Sequence, residues 1–262
     1  MRASLQLRSA RLRVADLGRA QDFYAGVLGL VPGSAHGHTL AMHAPGAATP
    51  LLTLIETPGA QPKPPGVPGL FHIALLVPDR PSLARILRRL AKFRAPLALS
   101  DHGVSEAIYL ADPDGNGLEI YGDRQPDAWR DAAGKLVIFT RRLTPSDLLA
   151  AAPDQHSAGL PAGTVLGHVH LRTHSLEAAG AFYTGQLGLA VTTREYPGAL
   201  FLSADGYHHH IAVNTWGPRT TETGTFAGLE SIDIALRDLK EPRRLIDPDG
   251  VGLNLMPLND GP

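Results

Sequence analysis

The chain carries one stretch of sequence twice, and that repetition restricts its fold more than any other feature. Residues 8–32 (RSARLRVADLGRAQDFYAGVLGLVP) and 167–191 (GHVHLRTHSLEAAGAFYTGQLGLAV) lie 159 positions apart and agree at ten of 25 positions, among them Phe23, Tyr24, Leu28, Gly29 and Leu30. The same offset lays GLFHIALLVPD (69–79) on GLESIDIALRD (228–238), and TPLLTL (49–54) on HHHIAV (208–213). One offset holding across three separated segments marks a duplication, and fixed-period similarity has to be read before any local assignment. DPDGNGLEIY (112–121) meets DPDGVGLNLM (247–256) at an offset of 135 instead, so the second copy lacks 24 residues between about Asp238 and Asp247.

Each copy has a finer period. A strand with alternating apolar positions (Leu12, Val14) precedes an amphipathic helix from Leu17 to about Val27, then a GLG turn and further strands. A second strand–helix unit begins at Phe71, where SLARILRRLAKF (82–93) sets Leu83, Ile86, Leu87 and Leu90 on one helical face. DPDG at 112–115 is a turn between two strands, with Asp112 and Asp114 as turn formers, because the other ligands of a calcium loop are missing. The pattern predicts an α+β fold of four βαβββ modules, the fourth truncated. Two modules fill residues 1–125, and the third and shortened fourth fill 161–262. Residues 126–160 match neither copy and form a connector with a short strand near Leu136–Thr140. Phe23 and Tyr24 belong to the core.

With 24 Lys+Arg against 25 Asp+Glu, the chain lacks the basic footprint that nucleic-acid binders and polybasic membrane anchors need. Its longest apolar runs fall far short of the ~20 residues of a membrane span. Neither nucleic acid nor membrane is therefore expected as a partner, and the protein is expected in the cytoplasm. The absence of cysteine excludes disulfides, thiolate zinc, iron–sulfur clusters and a cysteine nucleophile. A metal here would be held by nitrogen and oxygen.

The pattern DxxxAxxFYxxxLGL after a strand, followed by DPDGNGLE, resembles the vicinal-oxygen-chelate superfamily of glyoxalases and extradiol dioxygenases. SDHGVSEAIYLADPDGNGLEIYGDR (100–124) and GHVHLRT…FLSADGYHHHIAVNTW (167–216) resemble its two-domain catechol-2,3-dioxygenase-like branch more narrowly. The resemblance implies modules paired into two cupped mixed sheets. Metal-ligand positions would lie near the start of a module's first strand and on its last strand. Those positions are Ser9, His72, His168 and Ser231, with Glu119 and Asn254. Only His72, Glu119 and His168 are ligand types, and neither half holds all three. A complete site therefore requires modules two and three to share one cup. Modules one and four share the other, which is vestigial.

Two imidazoles and one carboxylate with open positions form the donor set of non-haem Fe(II) oxygenases. The resemblance accordingly implies Fe(II), with Mn(II) or another divalent metal able to occupy the site, acting on a catechol-like diol and O₂. His209 falls at the acid–base position, and His102 and Tyr109 at substrate-contacting ones. On an extended strand His208 and His210 would face away from His209. His170, two residues from His168, would share the site's face. His36, His38, His43 and His156 are assigned no role. The first copy carries Thr49, Pro50 and Leu51 where the second has His208–His210, and the deletion removes any counterparts of His102 and Tyr109. Two rival readings share the fold: a glyoxalase-like isomerase or lyase, and a metal-free small-molecule-binding protein. The truncation should expose a sheet edge in module four, for the connector or a homo-oligomer contact to cover.

Overall fold

The computed structural model describes residues 4–153, 157–220 and 222–258, so His156 lies outside the described residues. Module one opens with β1 (Leu5–Val14), after which the Asp16 carboxylate accepts from the Arg19 amide at 2.7 Å and starts α1 (Leu17–Gln21). The expected helix to Val27 is α-helical only over these five residues. It continues as wider π-helical turns over Asp22–Val27, where the Leu28 amide reaches back to the Phe23 carbonyl. Strands β2 (Val31–His36), β3 (Thr39–His43) and β4 (Leu52–Glu56) complete the module.

Module two runs through β5 (Gly69–Leu76), α2 (Arg80–Lys92), β6 (Ala98–Asp101), β7 (Ser105–Ala111) and β8 (Gly117–Asp123). Asp79 caps α2, and its predicted face of Leu83, Ile86, Leu87 and Leu90 is buried. A single bridge, Arg130 to Leu136, then precedes β9 (Arg141–Arg142) and α3 (Pro145–Leu149). The strand expected at Leu136–Thr140 is thus displaced. The backbone there is spent elsewhere, with the Val137 amide on the Trp129 carbonyl and the Phe139 amide on that of His102.

Module three comprises β10 (Val165–Arg172), α4 (Leu176–Leu187), β11 (Ala190–Thr193), β12 (Ala199–Ser203) and β13 (Ile211–Asn214). Module four comprises only β14 (Gly228–Leu236), β15 (Arg243–Ile246) and β16 (Gly252–Pro257). The 24-residue gap has removed its helix and the counterpart of β6.

The modules pair crosswise, as the ligand distribution required. The nine-stranded sheet runs β11-β12-β13-β10-β5-β8-β7-β6-β9 and joins module three to module two along antiparallel β10 and β5. The seven-stranded sheet runs β15-β16-β14-β1-β4-β3-β2 and joins module four to module one along β14 and β1. One apolar core, including Leu12, Tyr24, Ile73, Leu83, Tyr183 and Ile234, spans both sheets and the helices between them. The segment after β8 closes the β6 edge through β9, not the shortened module's edge. There β15 ends its sheet with Arg243 and Arg244 exposed and Ile246 63% exposed. Charged side chains blunt such an edge.

The repeated tyrosine fastens the two sheets together. Tyr24 Oη donates to Asp112 Oδ2 at 2.9 Å, while Asp112 Oδ1 accepts the amides of Asp114 and Asn116 and so shapes the DPDG turn. Gly115 takes φ 81° at its corner. Tyr183 repeats the arrangement on Asp247 at 2.8 Å. Both tyrosines are fully buried. Tyr24→Phe is expected to lower unfolding free energy by about 1.5–3 kcal/mol, since the bond is buried and its acceptor charged. Urea melts would read this, and no change in midpoint would mean the tyrosine serves only as bulk.

Candidate metal centre and its cavity

His72 on β5, Glu119 on β8 and His168 on β10 stand on three adjacent strands of the nine-stranded sheet. The register sets His168 opposite Ala74, and Ala74 opposite Glu119, so a small residue lies between two ligand types. All three side chains are buried, and their donor atoms lie within 4.8 Å of one another. Glu119 Oε2 is 2.9 Å from His72 Nε2 and 3.2 Å from His168 Nε2. Two donors about 2.1 Å from one ion at right angles stand about 3.0 Å apart, so these spacings fit adjacent corners of one coordination sphere. His72 Nε2 is also a buried nitrogen without a hydrogen-bond partner, the kind of orphan that a metal would satisfy. Burial alone would raise the Glu119 pKa, but the adjacent His168 and His72 outweigh it and hold the carboxyl well below its usual range. Burial lowers the His168 pKa against the pull of Glu119. An ionised carboxylate and a neutral imidazole are the ligating forms. Among the described residues this is the one His/Asp/Glu group so arranged.

The second cup shows the contrast. Ser9, Ser231 and Asn254 occupy the equivalent positions, and Asp233 stands where the first cup has Ala74. Ser9 Oγ and Asn254 Nδ2 both donate to the Asp233 carboxylate, at 2.5 and 2.8 Å. Its polar groups satisfy one another.

The donor set opens onto a cavity of about 460 Å³ walled by Phe71, Leu118, Ile138, Tyr196, Phe201 and Trp216. His102, Tyr109, His170 and His209 also line it. Tyr109 pairs directly with Glu119 across β7 and β8. His102 Nδ1 lies 3.0 Å from the Phe139 carbonyl, which can only accept, so Nε2 is left to accept from Tyr109 Oη at 2.7 Å. Burial and the Glu119 charge keep the Tyr109 phenol well above its normal pKa. His170 does line the site, but its Nε2 is engaged by Asn214 Nδ2 at 2.9 Å.

The three-histidine run is not the strand that alternation predicted. A turn at Asp205 and Gly206, both at positive φ, delays β13 until Ile211, and the three rings diverge from a bend. His210 turns back to Ser203 Oγ at 2.9 Å. His208 is fully buried against Tyr207 and Trp129, and His209 lies against His168 with ring centres 4.1 Å apart.

A directional chain links them. Asp123 accepts from Tyr207 Oη at 3.0 Å and from His208 Nε2 at 2.9 Å. A neutral His208 so protonated presents a lone pair at Nδ1, which lies 2.8 Å from His209 Nδ1. His209 must then carry its own proton on Nδ1, leaving the lone pair on Nε2. Burial, reinforced by the imidazoles around it, keeps His209 neutral by pushing its pKa well down.

Sequence reasoning passed over Ile138 and Thr140, whose Oγ1 lies 3.2 Å from His102 Nδ1 and 2.7 Å from Tyr196 Oη. It also passed over Asp123 as a partner of His208. No motif marks these residues; only the packing of the segment after β8 brings them in.

The model of the Glyoxalase/Bleomycin resistance protein/Dioxygenase superfamily matches residues 6–120. The chain is 42% identical over 238 residues to catechol-2,3-dioxygenase of Bacillus subtilis (strain 168), covering 88% of this chain and 83% of that protein. Among solved structures, a proposed dioxygenase of Bacillus subtilis subsp. subtilis str. 168 superposes with a TM-score of 0.63 at 16% identity, covering 97% of this chain and 86% of that one. Glyoxalase I from Zea mays superposes at 0.56 and 17% identity, covering 97% and 92%. These two likenesses are of fold. No helix among the described residues is long and apolar enough to cross a membrane.

Proposed function

The chain belongs to the glyoxalase/bleomycin resistance protein/dioxygenase superfamily, and from that premise we propose that it is a metal-dependent extradiol dioxygenase that opens the ring of a catechol-like diol with O₂. The observation that carries this reading is the pairing of a His72–Glu119–His168 donor set with an imidazole, His209, that lines the same cavity and has its Nδ1 engaged by His208. An enediolate isomerase would need the donors and a moved proton as well; the aromatic walls of the cavity, with His102 and Tyr109 beside Glu119, favour the catechol-like diol.

His72, Glu119 and His168 would hold Fe(II), with Mn(II) suited to the same donors. The metal, when bound, would bring diol and O₂ together and supply the redox chemistry of ring opening. His209 Nε2 takes a proton from a substrate hydroxyl. The resulting imidazolium is steadied through His208 by the Asp123 carboxylate, and the proton is returned as the ring opens. Tyr109 and His102 form one hydrogen-bonded unit beside Glu119 that orients the diol's oxygens. Phe71, Phe201 and Trp216 hold the aromatic ring and keep water out.

Protein purified without oxygen and loaded with Fe(II) is expected to bind one metal per chain, because the second cup has no ligand set. It should then consume one O₂ per catechol with a yellow product. One metal without O₂ uptake on any diol would favour the isomerase or lyase; no metal would leave a binding protein.

A further inference from the structure

Two cations, Lys63 and Arg172, line a cleft that adjoins the cavity and have no acidic partner among the described residues. His168, His170 and Arg172 alternate along β10, so Arg172 continues the strand face that carries the candidate ligand. Its guanidinium lies over the Phe71 ring, 5.5 Å from the centroid, and its Nε is buried without a hydrogen-bond partner. Lys63, from the segment before β5, donates from Nζ to the carbonyls of Val67 and Pro68 at 3.1 and 3.3 Å, which leaves one of its three N–H groups.

Both line a cleft of about 200 Å³ that shares Phe71 and Gly117 with the main cavity. Burial, and next the charge of Arg172, lower the Lys63 pKa to about 8. No carboxylate among the described residues forms an ion pair with either group. Two half-buried like charges repel and lose hydration, a cost an anion between them would remove. An apolar, water-poor neighbourhood strengthens that attraction, and a guanidinium fork suits a carboxylate's two oxygens.

We propose that Lys63 and Arg172 form a carboxylate-binding subsite, so that the diol this site takes carries an acidic side chain reaching past Phe71 into this cleft. The inference rests on the aromatic-diol reading above and narrows its substrate class. A charge-assisted contact of this kind is expected to favour the acid over a neutral analogue by about ten-fold to a hundred-fold.

The test compares 3-(3,4-dihydroxyphenyl)propionate with its methyl ester on the metal-loaded protein. The acid should show at least a ten-fold higher kcat/KM, mostly through KM, and the advantage should shrink with added salt. Arg172→Gln and Lys63→Met should each bring the acid-to-ester ratio toward one. Lys63→Met also loses two carbonyl contacts, so Arg172→Gln, which breaks no ion pair, is the decisive variant. Equal acid and ester in the wild type, or a ratio unchanged in Arg172→Gln, would overturn the subsite. Calorimetric binding of the two compounds under argon gives the same comparison without turnover. An acid preference there without ring cleavage would uphold the subsite and sink the dioxygenase; ring cleavage without the preference would do the reverse.

Discussion

His168→Ala is expected to leave the protein folded but without its metal, and to lower ring-cleaving turnover by at least about 10³-fold, the several kcal/mol a catalytic metal supplies. His168 is chosen because, among the described residues, its ring hydrogen-bonds only to Glu119, at 3.2 Å, so truncation breaks no wider network. Loss of one donor leaves His72 and Glu119, too few to compete with water and buffer for a divalent ion. The loss should therefore exceed the 10–100-fold that partners outside the coordination sphere typically cost. Metal analysis of the purified variant is the primary readout, since it does not depend on the substrate. The matching substitution in the other cup, Ser9→Ala, should leave metal content unchanged, because the positions of His72, Glu119 and His168 are held there by Ser231, Asn254 and Ser9. A variant lacking His168 that still bound one equivalent of metal would displace the proposed centre.

The second large effect separates metal from proton. His209→Asn should keep one metal per chain while kcat falls about 10²- to 10⁴-fold, the usual range for removing a positioned acid or base. His208→Phe should have an intermediate effect of about 10–100-fold on kcat with little change in KM, as expected of a group that orients another. Phenylalanine can keep the packing against Tyr207 and Trp129 but offers no acceptor to His209 Nδ1. Long-range ¹H–¹⁵N spectra should place the His209 proton on Nδ1 in the wild type and show a mixture of the two neutral tautomers in His208→Phe. Wild-type protonation at Nε2 would reverse the assigned direction of the chain and leave His209 unable to begin as a base.

Much of this was legible in the sequence because duplication writes the fold twice. The 159-residue offset aligned Phe23–Tyr24 with Phe182–Tyr183, the shorter offset of 135 aligned Asp112 with Asp247, and the split of ligand types between halves required the crossed sheets. What escaped has a common cause. Asp123 and His208 are 85 residues apart, and His102 and Thr140 are 38 apart. Such contacts depend on which loops fold over the cup, and carry no local periodicity. The His208–His210 run departs from strand alternation because alternation describes residues inside a ladder, whereas positive φ at Asp205 and Gly206 holds the run outside it. A two-residue pairing at β9 is likewise too short to leave a pattern, yet it settles the segment that brings Ile138 and Thr140 to the cavity.

The crossed pairing also changes what the segment between β8 and β10 does for the molecule. Each sheet is assembled from one module of each half, so its central seam is in effect a subunit interface enclosed within one polypeptide. A covalent tether of this kind replaces a concentration-dependent encounter with an effective local concentration on the millimolar scale, set by tether length. Assembly of the donor set then becomes insensitive to how dilute the protein is. One of the two equivalent cups can lose its ligands without loss to the other, since a single chain already guarantees the partner that the remaining cup needs.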